Sequence, residues 1–283
     1  MRKTFFVLAA IVFSNSIKAQ QDSASLDEVV ITANKYPNKT SLTGKLVTNI
    51  TKGPLEKNGG KDVAQLLTGQ TGVYIGGANS NMGKDKSIYL RGASVQYTLI
   101  TIDGVPVYDA SGIGSNFDLR NISVDQIERI EILKGSQSTL YGSDALAGVI
   151  NIITKKDFTK KIEAKGLLSY GSNHSFKVNA EVGGKSGAVD YSAGHSYFHT
   201  KGINETVSSI ANADKDGYTQ NSTRLSLGIQ AAKNIRFQPY VRYADIKGDM
   251  DQGAFVDELD YMYQQKNLQL GFKNEWKFSK SSL

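Results

Sequence analysis

Phe176-Lys177-Val178-Asn179-Ala180-Glu181-Val182 places an apolar side chain at every second position with a polar one between, the period of a strand whose two faces differ. The alternation returns in Leu225/Leu227/Ile229/Ala231 against Arg224/Ser226/Gly228/Gln230, in Ile235/Phe237/Pro239/Val241/Tyr243 against Arg236/Gln238/Tyr240/Arg242, and more weakly in Leu268/Leu270/Phe272. With 162–170 and 189–197, these make six expected strands of about ten residues each, the length a tilted strand needs to cross a bilayer. Links at 183–187 and 232–234 read as tight turns, and those at 199–222 and 246–266 as long polar loops. Long loops therefore fall on one side, although the first link, 171–174, is short where it should be long. Aromatic residues gather near strand ends (Tyr170, Tyr191, Tyr197, Phe198, Tyr243, Trp276, Phe278). Period two also suits a soluble sandwich packed on one face. The loop asymmetry and the aromatic ends favour a membrane barrel. Six strands cannot close one: eight is about the smallest, and a lumen that holds a plug needs roughly 22. The chain is therefore expected to be the N-terminal part of a longer protein.

Upstream of the strands the chain changes character. Arg2 and Lys3, a short apolar stretch to Phe13 and the small residue Ala19 form the pattern of a cleaved export signal over 1–19. Arg2, Lys3 and Lys18 carry three of the six net positive charges, so the mature chain holds only +3. No basic run accompanies that charge, and no nucleic-acid partner is expected. The absence of cysteine excludes disulfide scaffolds, thiolate metal sites and cysteine nucleophiles. The longest apolar run, 5–13, falls far short of the roughly 20 residues a spanning helix needs.

Residues 20–45 are polar apart from Val29-Val30-Ile31 and read as a flexible leader. Residues 46–156 read as a compact α+β unit, and 157–283 as the strand region. Within the unit, 62–67 before Gly69 suits a short helix. The stretches 88–92, 98–102, 128–133 and 149–154 suit strands, with one helical turn at 123–127. Two small-residue loops, 76–86 and 108–116, lie between them.

Leader and unit together resemble the start of a TonB-dependent outer-membrane receptor. Leu26-Asp27-Glu28-Val29-Val30-Ile31-Thr32-Ala33-Asn34 is similar to the family's TonB box with its flanks. Ile88-Tyr89-Leu90-Arg91-Gly92, Ile102-Asp103-Gly104-Val105-Pro106 and Ile127-Glu128-Arg129-Ile130-Glu131-Ile132-Leu133-Lys134-Gly135 resemble successive plug signatures. The stretch opening Tyr141-Gly142-Ser143-Asp144-Ala145 and running to Thr154 resembles the closing one. Ser136 stands where the family often has proline. The expected fold is thus an α+β plug domain followed by antiparallel transmembrane β-barrel strands, an incomplete barrel.

The resemblance implies active uptake of a scarce, bulky nutrient across the outer membrane. The partners it implies are TonB, with its inner-membrane energising complex, and the outer-membrane lipid bilayer; a monomer is expected. Asp27, Glu28, Val29, Val30, Ile31, Thr32 and Ala33 would be captured by TonB as an added strand, for which β-branched residues are stiff and suitably extended. Cargo, a small molecule or metal chelate, would dock on Gly76, Gly77, Asn79, Asn81 and Lys86 of one plug loop and on Tyr108, Ser111, Ile113, Ser115 and Asn116 of the other. Within the family the likeness is greatest to cobalamin receptors, with a ferric siderophore or haem as the second choice of cargo. No cofactor is required. Asp214, Asp216, Asp249 and Asp251 offer oxygen ligands to a calcium ion in the long loops, against the plain reading that hydrated loops are often acidic.

Two rivals come from other classes: an exported soluble β-rich binding protein and a secreted enzyme. The latter lacks support, because no Gly-x-Ser-x-Gly elbow occurs. The three histidines, His174, His195 and His199, all lie in or beside strands. Arg91, Glu128, Arg129 and Glu131 read as a charged plug face meeting the barrel wall rather than as a catalytic cluster.

Overall fold

A computed structural model describes residues 30–31, 38–39, 44–58, 60–111, 113–156, 158–206, 214–251, 255–257 and 261–278. The export signal expected over 1–19 lies outside them. A short ladder pairs β1 (Val30–Ile31) with β2 (Asn38–Lys39). The unit that follows is built on a five-stranded sheet: β3 (Leu46–Ile50), β6 (Thr98–Ile102), β7 (Val105–Pro106), β8 (Ile127–Lys134) and β9 (Gly148–Thr154). Its spatial order is β3-β8-β9-β6-β7, antiparallel except for the parallel pair β6–β9. A separate hairpin joins β4 (Val73–Gly76) to β5 (Ser87–Leu90).

All five residues of β6 are buried, the two threonines together with the three apolar residues, as in a strand covered on both faces. One face of the sheet presents Ile100, Ile102, Ile130, Ile132, Ile150 and Ile152 to α1 (Lys52–Lys57), α2 (Val63–Thr68) and the β4–β5 hairpin. The other face packs Leu99, Leu133 and Val149 on Ala145. Helix α2 begins where the sequence places it, through a capping box in which Asp62 accepts from the Gln65 amide and Gln65 returns the bond. The turn Asp103-Gly104 has φ of 57° and 79°, the left-handed pair of a tight hairpin turn.

Downstream, β10 (Glu163–Gly171), β11 (Ser175–Ser186), β12 (Val189–Thr200), β13 (Tyr218–Ala232), β14 (Ile235–Asp249) and β15 (Met262–Trp276) form one antiparallel meander in sequence order. It is a curved wall, not a closed barrel. The uniform ten-residue estimate is corrected to 9–15 residues. Toward the upper ends of β13–β15 polar residues dominate and the apolar Tyr218 and Ile246 turn inward, so the alternation of the lower wall fails there and the sequence assigns these ends to loops. The long links shorten accordingly to 201–217 and 250–261.

Which face is buried separates the wall from a soluble sandwich. In β11–β14 most of the hidden members are polar: Lys177, Asn179, Glu181, Ser192, Ser196, Gln220, Ser222, Arg224 and Gln238, joined toward the upper ends by Tyr218, Ala244 and Ile246. The apolar members Val182, Val189, Tyr191, Leu225, Leu227, Leu268, Leu270 and Phe272 are exposed. A sandwich would bury the second set and wet the first. Polar-in, apolar-out is the arrangement of a transmembrane barrel.

The plug sheet has one position that only glycine can fill. Gly148 opens β9 at φ 153°, and a Cβ there would lie 2.2 Å from the Leu133 carbonyl oxygen. Gly148→Ala should therefore destabilise the plug by about 2 kcal/mol or more, read as a lowered urea midpoint of the detergent-solubilised full-length protein; an unchanged midpoint would contradict this packing.

Candidate functional site

The plug sits against the inner face of the wall, and ion pairs and hydrogen bonds carry the contact. Asp103, in the β6–β7 turn, receives Arg242 of β14 at 2.9 Å and Lys156 at 3.1 Å. Its oxygens also accept from the Thr154 amide (3.0 Å) and hydroxyl (2.9 Å). Beside it, Arg224 of β13 donates to the Lys155 carbonyl at 2.7 Å and lies 3.6 Å from buried Glu181 of β11, with the Lys155 ammonium 3.8 Å from the same carboxylate. Further along, Lys177 meets Asp125 at 3.0 Å, and Gln126 exchanges hydrogen bonds with Ser222. Polar plug–wall contact is thus present, but through other residues than the sequence singles out. Arg129 and Glu131 pair with each other at 3.0 Å within the plug sheet, where Glu131 also accepts from Asn151.

The 76–86 loop is held from three sides. The Lys86 ammonium donates to the carbonyls of Gly77 and Asn81 and lies 3.9 Å from Asp62. Its side chain is only 1% exposed, so this predicted cargo contact serves as the loop's internal brace. Burial lowers the Lys86 pKa against the pull of Asp62. Asn81 is likewise buried, with its amide donating to the carbonyls of Ile203 and Asp216, while its backbone and Ser80 reach Glu205. Gly76 ends β4, and Gly77 turns the chain at φ 76°. Of the five residues proposed in this loop, Asn79 is the one left exposed.

In the second loop, Tyr108, Ser111 and Ser115 are exposed and Asn116 is half-buried; the side chain of Ile113 lies outside the described residues. Tyr108 donates to Asp144 at 3.2 Å. Asp109 accepts from the Ser111 amide and hydroxyl and from Gln265 of β15. Together the two loops border a cavity of about 840 Å³ open toward β15.

Arg120 joins these parts, although nothing in its local sequence sets it apart. Its guanidinium binds both Asp118 oxygens, reaches Asp85 at 2.5 Å, and donates to Tyr263 of β15 (2.9 Å) and to the Gly83 carbonyl. Its own carbonyl accepts from Gln220 of β13. Burial would lower its pKa, but Asp118 outweighs that and raises it. The partners lie far away in the chain, so spacing could not reveal them.

The acidic loop residues divide. Asp214 and Asp251 meet Asp257, their carboxylate oxygens all within 4.8 Å of one another. Asp216 and Asp249 line the neighbouring cavity of about 380 Å³ with Ser80, Asn81, Lys84, Glu205 and Asp251. Asp249 is engaged by the Gly217 amide at 3.1 Å. Burial, with Asp251 nearby, pushes the Asp216 carboxyl up to about 6. Asp257 is missing from the sequence-based set although it lies in the same expected loop, 246–266, as Asp249 and Asp251.

Of the coupling segment, Asp27, Glu28, Val29, Thr32 and Ala33 lie outside the described residues. Val30 and Ile31 are extended, as expected, but they are not unpaired: they face Lys39 and Asn38. His195 and His199 bond to Thr223 and Thr219 on the outward side of the wall and do not converge.

Residues 39–149 match the family described as the TonB-dependent Receptor Plug Domain. Among solved structures, the chain is similar to the ferripyoverdine receptor of the outer membrane of Pseudomonas aeruginosa bound to ferripyoverdine (18% identity, TM-score 0.69, covering 91% of this chain and 35% of that one). It is also similar to the siderophore receptor PirA from Acinetobacter baumannii (21%, TM-score 0.66, 83% and 38%). A third is a mutant ferric enterobactin receptor from Pseudomonas aeruginosa in complex with enterobactin (19%, TM-score 0.64, 82% and 39%). The chain thus spans little more than a third of the structures it matches. Its fold is a plug domain followed by the first part of such a receptor's barrel wall.

The Asp103 cluster makes the plug–wall contact sensitive to acid. Burial alone would raise the Asp103 carboxyl, but Lys156 and Arg242 outweigh it and hold the pKa below the usual carboxylate range. A depressed carboxylate contributes stability above its unfolded pKa, about 3.9, and that stability is lost as pH falls through the folded value. Melting temperature should therefore drop more steeply between about pH 5 and pH 3 in the parent than in Asp103→Asn, which should itself lose about 3 kcal/mol at neutral pH by stranding two cations. Parallel curves would show the cluster contributes nothing.

Proposed function

We propose that the chain is the N-terminal part of a TonB-dependent outer-membrane receptor that takes up a ferric siderophore. The supporting observation is the pairing of a plug domain with an inverted wall, polar toward the plug and apolar outward. The structures it resembles are those of siderophore receptors, which favours iron chelates over the cobalamin reading drawn from the loop motifs. Cargo would rest on the outward plug loops, at Asn79, Tyr108, Ser111, Ser115 and Asn116, beneath the long wall loops. Gly76, Gly77, Asn81 and Lys86 would shape that surface from below.

Energy has to arrive from another membrane, through TonB and its inner-membrane complex, because the outer membrane holds no nucleotide supply. The segment from Asp27 to Ala33 would add to TonB as a strand. Val30 and Ile31 already hold an extended backbone with one edge taken by Asn38 and Lys39 and no other strand paired to them among the described residues, a form that TonB could extend. Tension on the leader would then reach the plug at β3, which has a neighbour on one side only.

For calcium, the reading rests on Asp214, Asp251 and Asp257, with Asp216 and Asp249 alongside. Carboxylates and carbonyls are the hard oxygen donors that ion takes, and the two long loops supply them jointly. The ion would neutralise like charges that otherwise raise the pKa of Asp214 after burial does.

Val30→Pro removes an amide donor and fixes φ. Uptake of a radiolabelled ferric siderophore by cells bearing the full-length receptor should fall by at least about tenfold, while binding at the surface persists; equal loss of both would remove the coupling role. A deletion strain should fail on limiting iron and grow on limiting cobalamin. Chelation with EDTA should weaken cargo binding, and Asp214→Asn should do so to a smaller degree; indifference to both would retire calcium.

A further inference from the structure

We infer that the cargo is a neutral or cationic iron chelate and that Asp85 is the plug group that selects it against polyanionic chelates. The inference rests on the siderophore reading above and assigns it a charge class.

The argument begins with the cations of the cavity between the two plug loops. Lys86 borders it, but its ammonium is buried and committed to two loop carbonyls and Asp62. Arg120 is 9% exposed, and its donors are spent on Asp118, Asp85, Tyr263 and a carbonyl. Lys266 lies on the exposed side of β15 with Leu268 and Leu270, in register with Asp245. Neither Lys86 nor Arg120 presents a vacant ammonium or guanidinium to a ligand in the cavity, and Lys266 borders it from the side of β15 that carries Leu268 and Leu270.

The carboxylates there are unequal. Asp118 and Asp109 are occupied by Arg120, Ser111 and Gln265. Asp85 is different: its side chain is 83% exposed and Arg120 is its ion-pair partner. The surface beside it is acidic as well. The adjoining cavity sets Glu205, Asp216, Asp249 and Asp251 against Lys84 alone. A net-basic chain thus presents an acidic surface on the described wall loops beside the plug loop that carries Asp85. A tris-catecholate iron complex carries three negative charges and would meet repulsion at each of these groups. A hydroxamate-type complex, neutral or bearing an ammonium, would not, and an ammonium or amide donor could bond to Asp85.

The test titrates the purified full-length receptor with three iron(III) complexes of graded charge: ferrioxamine B (monocationic), ferrichrome (neutral) and ferric enterobactin (trianionic). Titrations run with and without added calcium, which would screen the loop acids but not Asp85. The cationic or neutral complex should bind on the order of tenfold tighter than the trianion or better, and the gap should narrow as salt is raised. Asp85→Asn, which leaves Arg120 its Asp118, Tyr263 and Gly83 partners, should shrink the preference, and Asp85→Lys should shrink it further or reverse it. Equal or tighter binding of the trianion would overturn the charge assignment while leaving a siderophore receptor. Binding of none of the three would overturn the siderophore reading itself.

Discussion

A wall whose hidden face is polar constrains everything placed inside it. Lys177, Glu181, Arg224 and Arg242 cannot be left bare, because a buried charge without a partner costs several kcal/mol. The plug therefore has to arrive carrying complementary groups, and it does so at the ends of its strands: Asp103 after β6, Asp125 before β8, and Lys155 and Lys156 after β9. The apolar atoms of the plug are spent internally, on the isoleucine layer of its own sheet. Two cores of opposite kind follow, an oily one inside the plug and an ionic one between plug and wall. The ionic one can come apart and rewet, since each of its groups is well solvated in water.

The division explains how much could be read in advance. Segments governed by a local rule were legible. The strand over 98–102, the short helix after Asp62 and the turn at Asp103-Gly104 each follow from neighbouring residues alone. Period two revealed the lower wall, because lipid-side and plug-side positions must alternate there. It failed above residue 246 and before residue 222, where polar residues dominate, Tyr218 and Ile246 turn inward, and the strands nevertheless continue. Strands β3 and β4 and helix α1 do not stand out in the sequence, although β3 and β4 are as long as β6 and β5, which do; Pro54 sits in the first turn of α1, where proline is tolerated.

The site was less legible than the fold, for a physical reason. A loop's composition shows that it turns and is polar, not which of its side chains face inward. Lys86 and Asn81 look like ligand contacts by type, yet both are consumed in holding the loop's shape. Arg120 looks ordinary and is the junction of two plug segments with two wall strands. Its partners are separated from it by as much as 143 positions, a distance over which no spacing rule operates. The acidic cluster shows the intermediate case: Asp214 and Asp251 were found by type, and the fold replaced two of their expected companions with Asp257.

The order of the plug sheet bears on how it could yield to tension. β3 lies at one edge, bonded to β8 through five residue pairs, and is the first sheet strand after the leader. β9 lies in the middle, bonded on both sides, and runs directly into Lys155 and Lys156, which are fastened to the wall. A pull from the leader therefore loads the strand with one neighbour, while the strand with two neighbours and the ionic anchor sits at the far end of the covalent path. Rupture proceeds where the fewest bonds share the load. An edge strand can peel away in sequence, one pair at a time, whereas displacing β9 would require both its ladders and the Asp103 cluster to fail together. The chain order thus puts the detachable element beside the handle and the fixed element beside the wall, which would let part of the plug leave without surrendering the rest.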